Sequence, residues 1–239
     1  MRRIAVLSLL VLAVSAVFAS SAMAINSPQK LEASATPTAG GTKKKPVGVS
    51  LHIRPFIPDI SADLPFATTK ALVYFPKELV INARYFKYCT RAKVQKNEKK
   101  CPPASKIGSG IAAGLALGLT ENLTVDVFNG PGGNKVELLV KGASPLVIRE
   151  VIEAKLQKVK GTYGWRLTVP IPTGLQTPVD GVYATLTDFD VTLDKKTVKK
   201  GKKTYAWAAL TGCTGSLKFG YQGQYTDGTK QDVAIEQAC

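Results

Sequence analysis

From Val47 onward, apolar and polar residues alternate with a period of two, the repeat of a half-buried β-strand. Val47, Val49, Leu51 and Ile53 fall on one face, with Ser50, His52 and Arg54 on the other. Lys70 to Phe75 is a short apolar run closed by Pro76, and Glu78 to Ala83 reads as another. Leu123, Val125 and Val127 alternate with Thr124 and Asp126. Residues 129–134 (Asn-Gly-Pro-Gly-Gly-Asn) then turn the chain, and Val136, Leu138 and Val140 return. Further strands are predicted over Arg166 to Ile171, Val182 to Leu193 and Thr204 to Leu210. In a closing hairpin Leu217, Phe219, Tyr221 and Tyr225 share a face. At strand spacing this stripe reads as core, not as a ligand platform. Asp227-Gly228 reads as its type I′ turn, which needs positive φ at both central residues.

Residues 145–160 fit two templates. Ile148, Val151, Ile152, Leu156 and Val159 suit a helical face that Ser144-Pro145 would open. Ile152, Ala154 and Leu156 against Glu153, Lys155 and Gln157 suit a strand, which is the reading adopted. Nearly a dozen strand-like runs, with Gly, Pro, Asn and Asp turns between them, predict one all-β domain over residues 47–239. It is expected to be an antiparallel β-sandwich or flattened barrel.

The N-terminal residues follow a different pattern. Arg2 and Arg3, the apolar run Ile4 to Phe18 and the small-x-small site Ala22-Met23-Ala24 read as a secretory signal peptide over 1–24, cleaved after Ala24. Residues 25–46, rich in Pro, Ala, Thr, Gly and Lys, are expected to form a disordered linker. An exported chain with four Cys is expected to hold two disulfides. Cys89 and Cys101 bracket a polar loop, while Cys213 and Cys239 bracket the closing hairpin, whose Asp227-Gly228 turn lies close to the midpoint between them and brings both sulfurs to one end, so these pairings are favoured.

Charge narrows the candidates further. The chain has 32 Lys+Arg against 17 Asp+Glu, a net +15 that becomes +13 once residues 1–24 are removed. Six lysines, Lys195, Lys196, Lys199, Lys200, Lys202 and Lys203, crowd around Gly201. Arg91, Lys93, Lys96, Lys99, Lys100 and Lys106 form a second cluster. Both suit contact with anionic wall polymers or a membrane surface through a salt-sensitive attraction. Export, and the lack of interleaved arginines and aromatics, argue against nucleic acid.

Little catalytic apparatus is present. One histidine, His52, excludes a multi-histidine metal site, and no nucleophile elbow, zinc-protease or phosphate-loop motif occurs. Asp188 and Asp190 share a strand face and read as solvated. Asn122-Leu123-Thr124 is a weak glycosylation sequon. No enzyme, metal or cofactor is expected.

One segment departs from the ordinary strand pattern. In Ile107 to Thr120, one parity carries Gly108, Gly110, Ala112, Gly114, Ala116 and Gly118. Such a face is either the wall of a cavity for an apolar, lipid-like ligand or a surface filled by a bulky neighbour such as Tyr163 or Trp165.

The run Cys101-Pro102-Pro103-Ala104-Ser105-Lys106-Ile107-Gly108-Ser109-Gly110 follows Asn82 and Cys89. Downstream come Asn129-Gly130, Tyr163-Gly164-Trp165 and Val169-Pro170-Ile171-Pro172. Together they resemble secreted β-rich proteins of high-GC Gram-positive (actinobacterial) bacteria. That resemblance implies export, β structure and paired cysteines, and it carries no activity or site residue. The expected function is a secreted, non-catalytic envelope or extracellular domain acting through its lysine loops, with an apolar-ligand carrier as the alternative.

Overall fold

In the computed structural model, which describes residues 28–61 and 64–239, the period-2 pattern becomes a barrel. The predicted signal peptide lies outside these residues. In chain order the strands are β1 (Lys30–Thr36), β2 (Val47–Gly48), β3 (Ser50–Phe56), β4 (Thr68–Phe75), β5 (Leu79–Ile81), β6 (Lys106–Ala116), β7 (Leu119–Asn129) and β8 (Lys135–Gly142). They continue as β9 (Ile148–Lys158), β10 (Trp165–Pro170), β11 (Thr185–Leu193), β12 (Thr197–Lys200), β13 (Lys203–Ala206), β14 (Ala208–Leu210), β15 (Ser216–Tyr225) and β16 (Lys230–Ala238). Two short helices, α1 (Arg91–Asn97) and α2 (Thr173–Gln176), lie between strands.

Eleven strands pair in the order β1-β3-β11-β6-β7-β8-β9-β10-β4-β15-β16, every pairing antiparallel. The sheet curls until its two edges meet. Gln237 spans the seam, accepting from the Ala35 N–H at 2.8 Å and donating to the Ala35 carbonyl at 3.2 Å. Gln231 accepts from the Gln29 N–H at 2.7 Å. Side-chain amides thus replace a strand ladder along this seam and leave little free edge. The architecture is all-β, and of the two predicted forms it is the nearly closed barrel. Inward faces are apolar: Leu51, Val125, Leu138, Ile152 and Phe219 are buried in one core. Outward faces carry charge ladders such as Glu32–Arg54–Asp188.

A barrel of about eight strands is just wide enough for its own side chains to fill it, so eleven strands leave surplus width. At one end that width is filled by a second sheet, β2-β14-β5, lying where β3 begins and β4 and β7 end. Trp207, just before β14, is buried there, and its Nε1–H donates to Asn129 Oδ1 at 2.9 Å. The Asn129 amide in turn donates to the Ala83 and Lys87 carbonyls at 3.2 and 3.1 Å. This end is plugged.

Both favoured disulfides are formed, Cys89–Cys101 and Cys213–Cys239. The first pins α1 against the outside of β8 and β9, where Val94, Phe128, Leu139 and Val151 form a small second core. Paired cysteines fit an oxidising compartment. Among the described residues no helix is long and apolar enough to cross a membrane.

Several expectations are corrected. Residues 30–36 are not linker: Leu31, Ala33 and Ala35 point inward, and β1 pairs with β3 along its whole length. Gly41, farther along, packs against the Leu210 backbone, where a side chain would collide. Residues 91–97 of the expected polar loop form α1, buried through Val94. At Asp227-Gly228 only Gly228 has positive φ, 84°, so the turn is not type I′. That geometry occurs instead at Leu117-Gly118, with φ of 51° and 76°, so Ile107 to Thr120 holds a hairpin tip and not a single strand. The ambiguous 145–160 stretch contributes β9, as adopted.

A candidate ligand cavity

Away from the plug the barrel stays hollow. A cavity of about 210 Å³ lies inside it, walled by aliphatic side chains such as Val73, Leu123, Val140, Ile152 and Val169. Three connections contribute lining residues at its mouth: the turn at Leu117, the β8–β9 turn with Pro145 and Leu146, and the β10–β11 segment with Leu175, Val179 and Val182. Beside them, Pro65 between β3 and β4 accepts a hydrogen bond from the lining Thr185. Lining residues Leu117, Leu119 and Val179 are also solvent-exposed, so the cavity communicates with the surface there.

The small-residue face of β6 accounts for much of the hollow. Ala112, Gly114 and Ala116 line it. A Cβ at Gly114 would meet only the Thr185 carbonyl, at 3.7 Å, so this wall is uncovered space and not a socket for another side chain. The two expected fillers are elsewhere. Tyr163 packs on Tyr74, ring centroids 5.0 Å apart, and lies over Gly220, while the Trp165 Nε1–H donates to the Leu79 carbonyl at 2.9 Å. Gly108 and Gly110 belong to the deep half, where a side chain would collide with the backbone of β11, so they permit close strand approach and do not line the cavity. Gly118 sits in open space at the turn.

Polar groups in the wall are few. Thr185 is engaged, donating from Oγ1 to the Pro65 carbonyl at 2.7 Å. Burial pushes the Tyr221 phenol well above the usual tyrosine range, so it stays neutral. Glu121 is the one ionisable carboxylate in the wall. It is buried; Oε2 accepts from the Leu146 N–H at 2.9 Å and ties down the β8–β9 turn. Its Oε1 lies against Gly142, where any side chain would displace it. Neither Glu121 nor the mouth was singled out by sequence, because a glutamate at a strand start and leucines in a turn resemble ordinary strand ends.

The other predicted residues lie outside the cavity. The six lysines surround the β12–β13 hairpin, beyond the end of β11 and therefore at the plugged pole. Of these, Lys196 faces Asp194 at 3.4 Å, and the other five form no ion pair among the described residues. The second cluster lies on α1 and around Cys101, with Lys106 committed to Asp126. Asp188 is held by Arg54, Nη2 to Oδ2 at 2.8 Å, and Asp190 by His52 at 2.9 Å, on the outer wall. Asn122 is exposed at the start of β7. Comparison with protein-family models, with curated proteins and with solved structures finds no match to this chain.

Proposed function

We propose that this is an exported, non-catalytic carrier that holds an apolar ligand inside its barrel. The hollow with an aliphatic wall carries this reading. A folded interior is normally packed to crystal-like density, and an apolar cavity of this size forfeits dispersion contacts along its whole lining. The volume of 210 Å³ equals about seven water volumes, yet the wall offers few polar partners for ordered water. A hydrocarbon group of comparable bulk, such as a short acyl or prenyl chain, restores those contacts. The N-terminal signal pattern and the paired cysteines support export.

The test is binding of N-phenyl-1-naphthylamine, a neutral apolar fluorophore, to wild type and to Gly114→Leu. Space around Gly114 admits the new side chain, which projects into the hollow. Saturable binding by wild type, lost in a folded G114L, is the expected result. Equal binding by both proteins, or none by either, refutes the carrier reading.

A second reading has its own support in the five unpaired lysines around the β12–β13 hairpin, which suit an anionic wall polymer or headgroup. It predicts retention on anionic cell-wall material that salt releases and that replacing the six lysines by Gln abolishes.

A further inference from the structure

The mouth of the cavity is apolar on its outside as well as its inside. Leu117 is 81 % exposed, Leu119 60 % and Val147 90 %; Phe66, Val179 and Tyr183 are exposed beside them. Leu117, Leu119 and Val179 line the opening itself. Val147 and Tyr183 directly follow the lining residues Leu146 and Val182, and Phe66 follows Pro65, whose carbonyl accepts from the lining Thr185. Exposed apolar residues scattered singly need no explanation, but a ring of them around a hole does.

Leu117 is the most telling member. It is the only non-glycine residue with positive φ among the described residues. It occupies the first central position of a type I′ turn, where Asn, Asp or Gly is the ordinary choice. A leucine is strained there and, at the cavity's edge with most of its surface exposed, gains little by burial, so folding alone favours a polar residue. Its side chain is therefore kept for contact with something outside the protein. The neighbouring turn repeats the pattern. Residues 115–120 and 142–148 contain no charged side chain, and Val147 projects from the second turn as Leu117 does from the first.

We infer that this rim docks into the surface of a lipid bilayer, so that the apolar ligand passes between cavity and membrane without crossing water. Charge complementarity selects this occupant. The two tips are neutral, and the charges in the connections around them are acids, Asp180 between β10 and β11 and Asp59 and Asp63 between β3 and β4, so the match is to an uncharged acyl layer and not to an acidic partner. A protein partner would be expected to meet a polar, hydrogen-bonding rim or a free strand edge. Here the tips are isolated apolar knobs around an opening, and the barrel has curled its edges together. The lysine hairpin is at the opposite pole, so docking through the mouth does not depend on it.

The dock takes its purpose from the carrier reading, yet the two fail separately in one experiment. Flotation with vesicles of phosphatidylcholine alone is compared for wild type and the double variant L117N/V147N, at low and high salt. Asn suits the backbone at 117, and a thermal melt checks that the variant is folded. Wild type is expected to float at both salt levels, and the variant to bind about tenfold more weakly. Wild type that stays with the soluble fraction, or a variant that floats equally, overturns the inference. So does a wild-type dimer in sedimentation that the variant dissolves without any flotation, which makes the rim a self-association surface. Binding of N-phenyl-1-naphthylamine in the absence of vesicles is measured alongside. Its loss in wild type sinks the carrier reading alone, and its retention without flotation sinks the dock alone.

Discussion

Glu137 makes the stability of this barrel depend on pH in a direction opposite to that of most carboxylates. It lies on the outward face of β8, opposite Phe128 and Glu153 and two residues before Leu139. The α1 segment and its disulfide cover this face, and the side chain is fully buried with neither oxygen partnered. Burial, reinforced by the nearby Glu153 charge, pushes its carboxyl from 4.5 up to about 7, against the pull of Lys135 and Arg91. The unfolded chain releases this proton near 4.5, whereas the folded chain keeps it until about 7. Between those values the folded state binds more protons, so stability is full below 4.5 and falls as pH rises to about 7. At about 1.4 kcal/mol per pH unit, the loss amounts to about 3 kcal/mol. Glu98 acts in the opposite sense. Hydrogen-bonded by Arg149, it is lowered to about 2, so its contribution is lost only as pH falls below 4.5 and the two windows do not overlap. Urea unfolding followed by the fluorescence of Trp165 and Trp207 at several pH values reads the slope directly. Wild type is expected to weaken between pH 4.5 and 7, and Glu137→Gln to lose that slope. A wild type whose stability is flat across this window, or an E137Q variant with an unchanged slope, refutes the reasoning.

Three other perturbations have defined outcomes. Leu117→Asn relieves the strained tip and is expected to raise stability by about 0.5–1 kcal/mol in the same urea assay, although it removes an apolar group. Asn129→Ala strips three hydrogen bonds from the plug, two of them fully buried, and leaves the Trp207 indole N–H unpaired, so a loss of about 3 kcal/mol is expected. Replacing Cys213 and Cys239 by Ser opens a closure spanning 26 residues and is expected to lower stability by about 3 kcal/mol, with Cys89–Cys101 still formed on a mass map.

Strands with one strongly apolar face were legible because their period matches the pleat: β3, β7, β8 and β15 lie where alternation places them. Where the alternation is carried by alanine, as in β1, composition misled. Ala33 and Ala35 add little hydrophobicity to a Pro- and Gly-rich neighbourhood, and the strand is held by long-range pairing with β3. The plug was illegible for a different reason. β2, β5 and β14 have only two or three residues each, too few to show a period. Closure of the barrel depends on Gln231 and Gln237, polar residues that look solvated in sequence and find their partners about two hundred positions away.

The candidate site divides the same way. Its wall was visible in Ala112, Gly114 and Ala116, since small residues at strand parity leave volume that something must fill or leave empty. Its mouth was not, because leucine in a run of leucines reads as strand core until the backbone turns at 117. That turn separates the two chemistries of the protein in space: unpaired lysines gather at the plugged pole, and uncharged apolar tips at the open one. An attraction through the lysines must weaken as salt screens it, while insertion of apolar tips must persist or strengthen. Salt dependence therefore assigns any surface this protein meets to one pole or the other, before a single residue is changed.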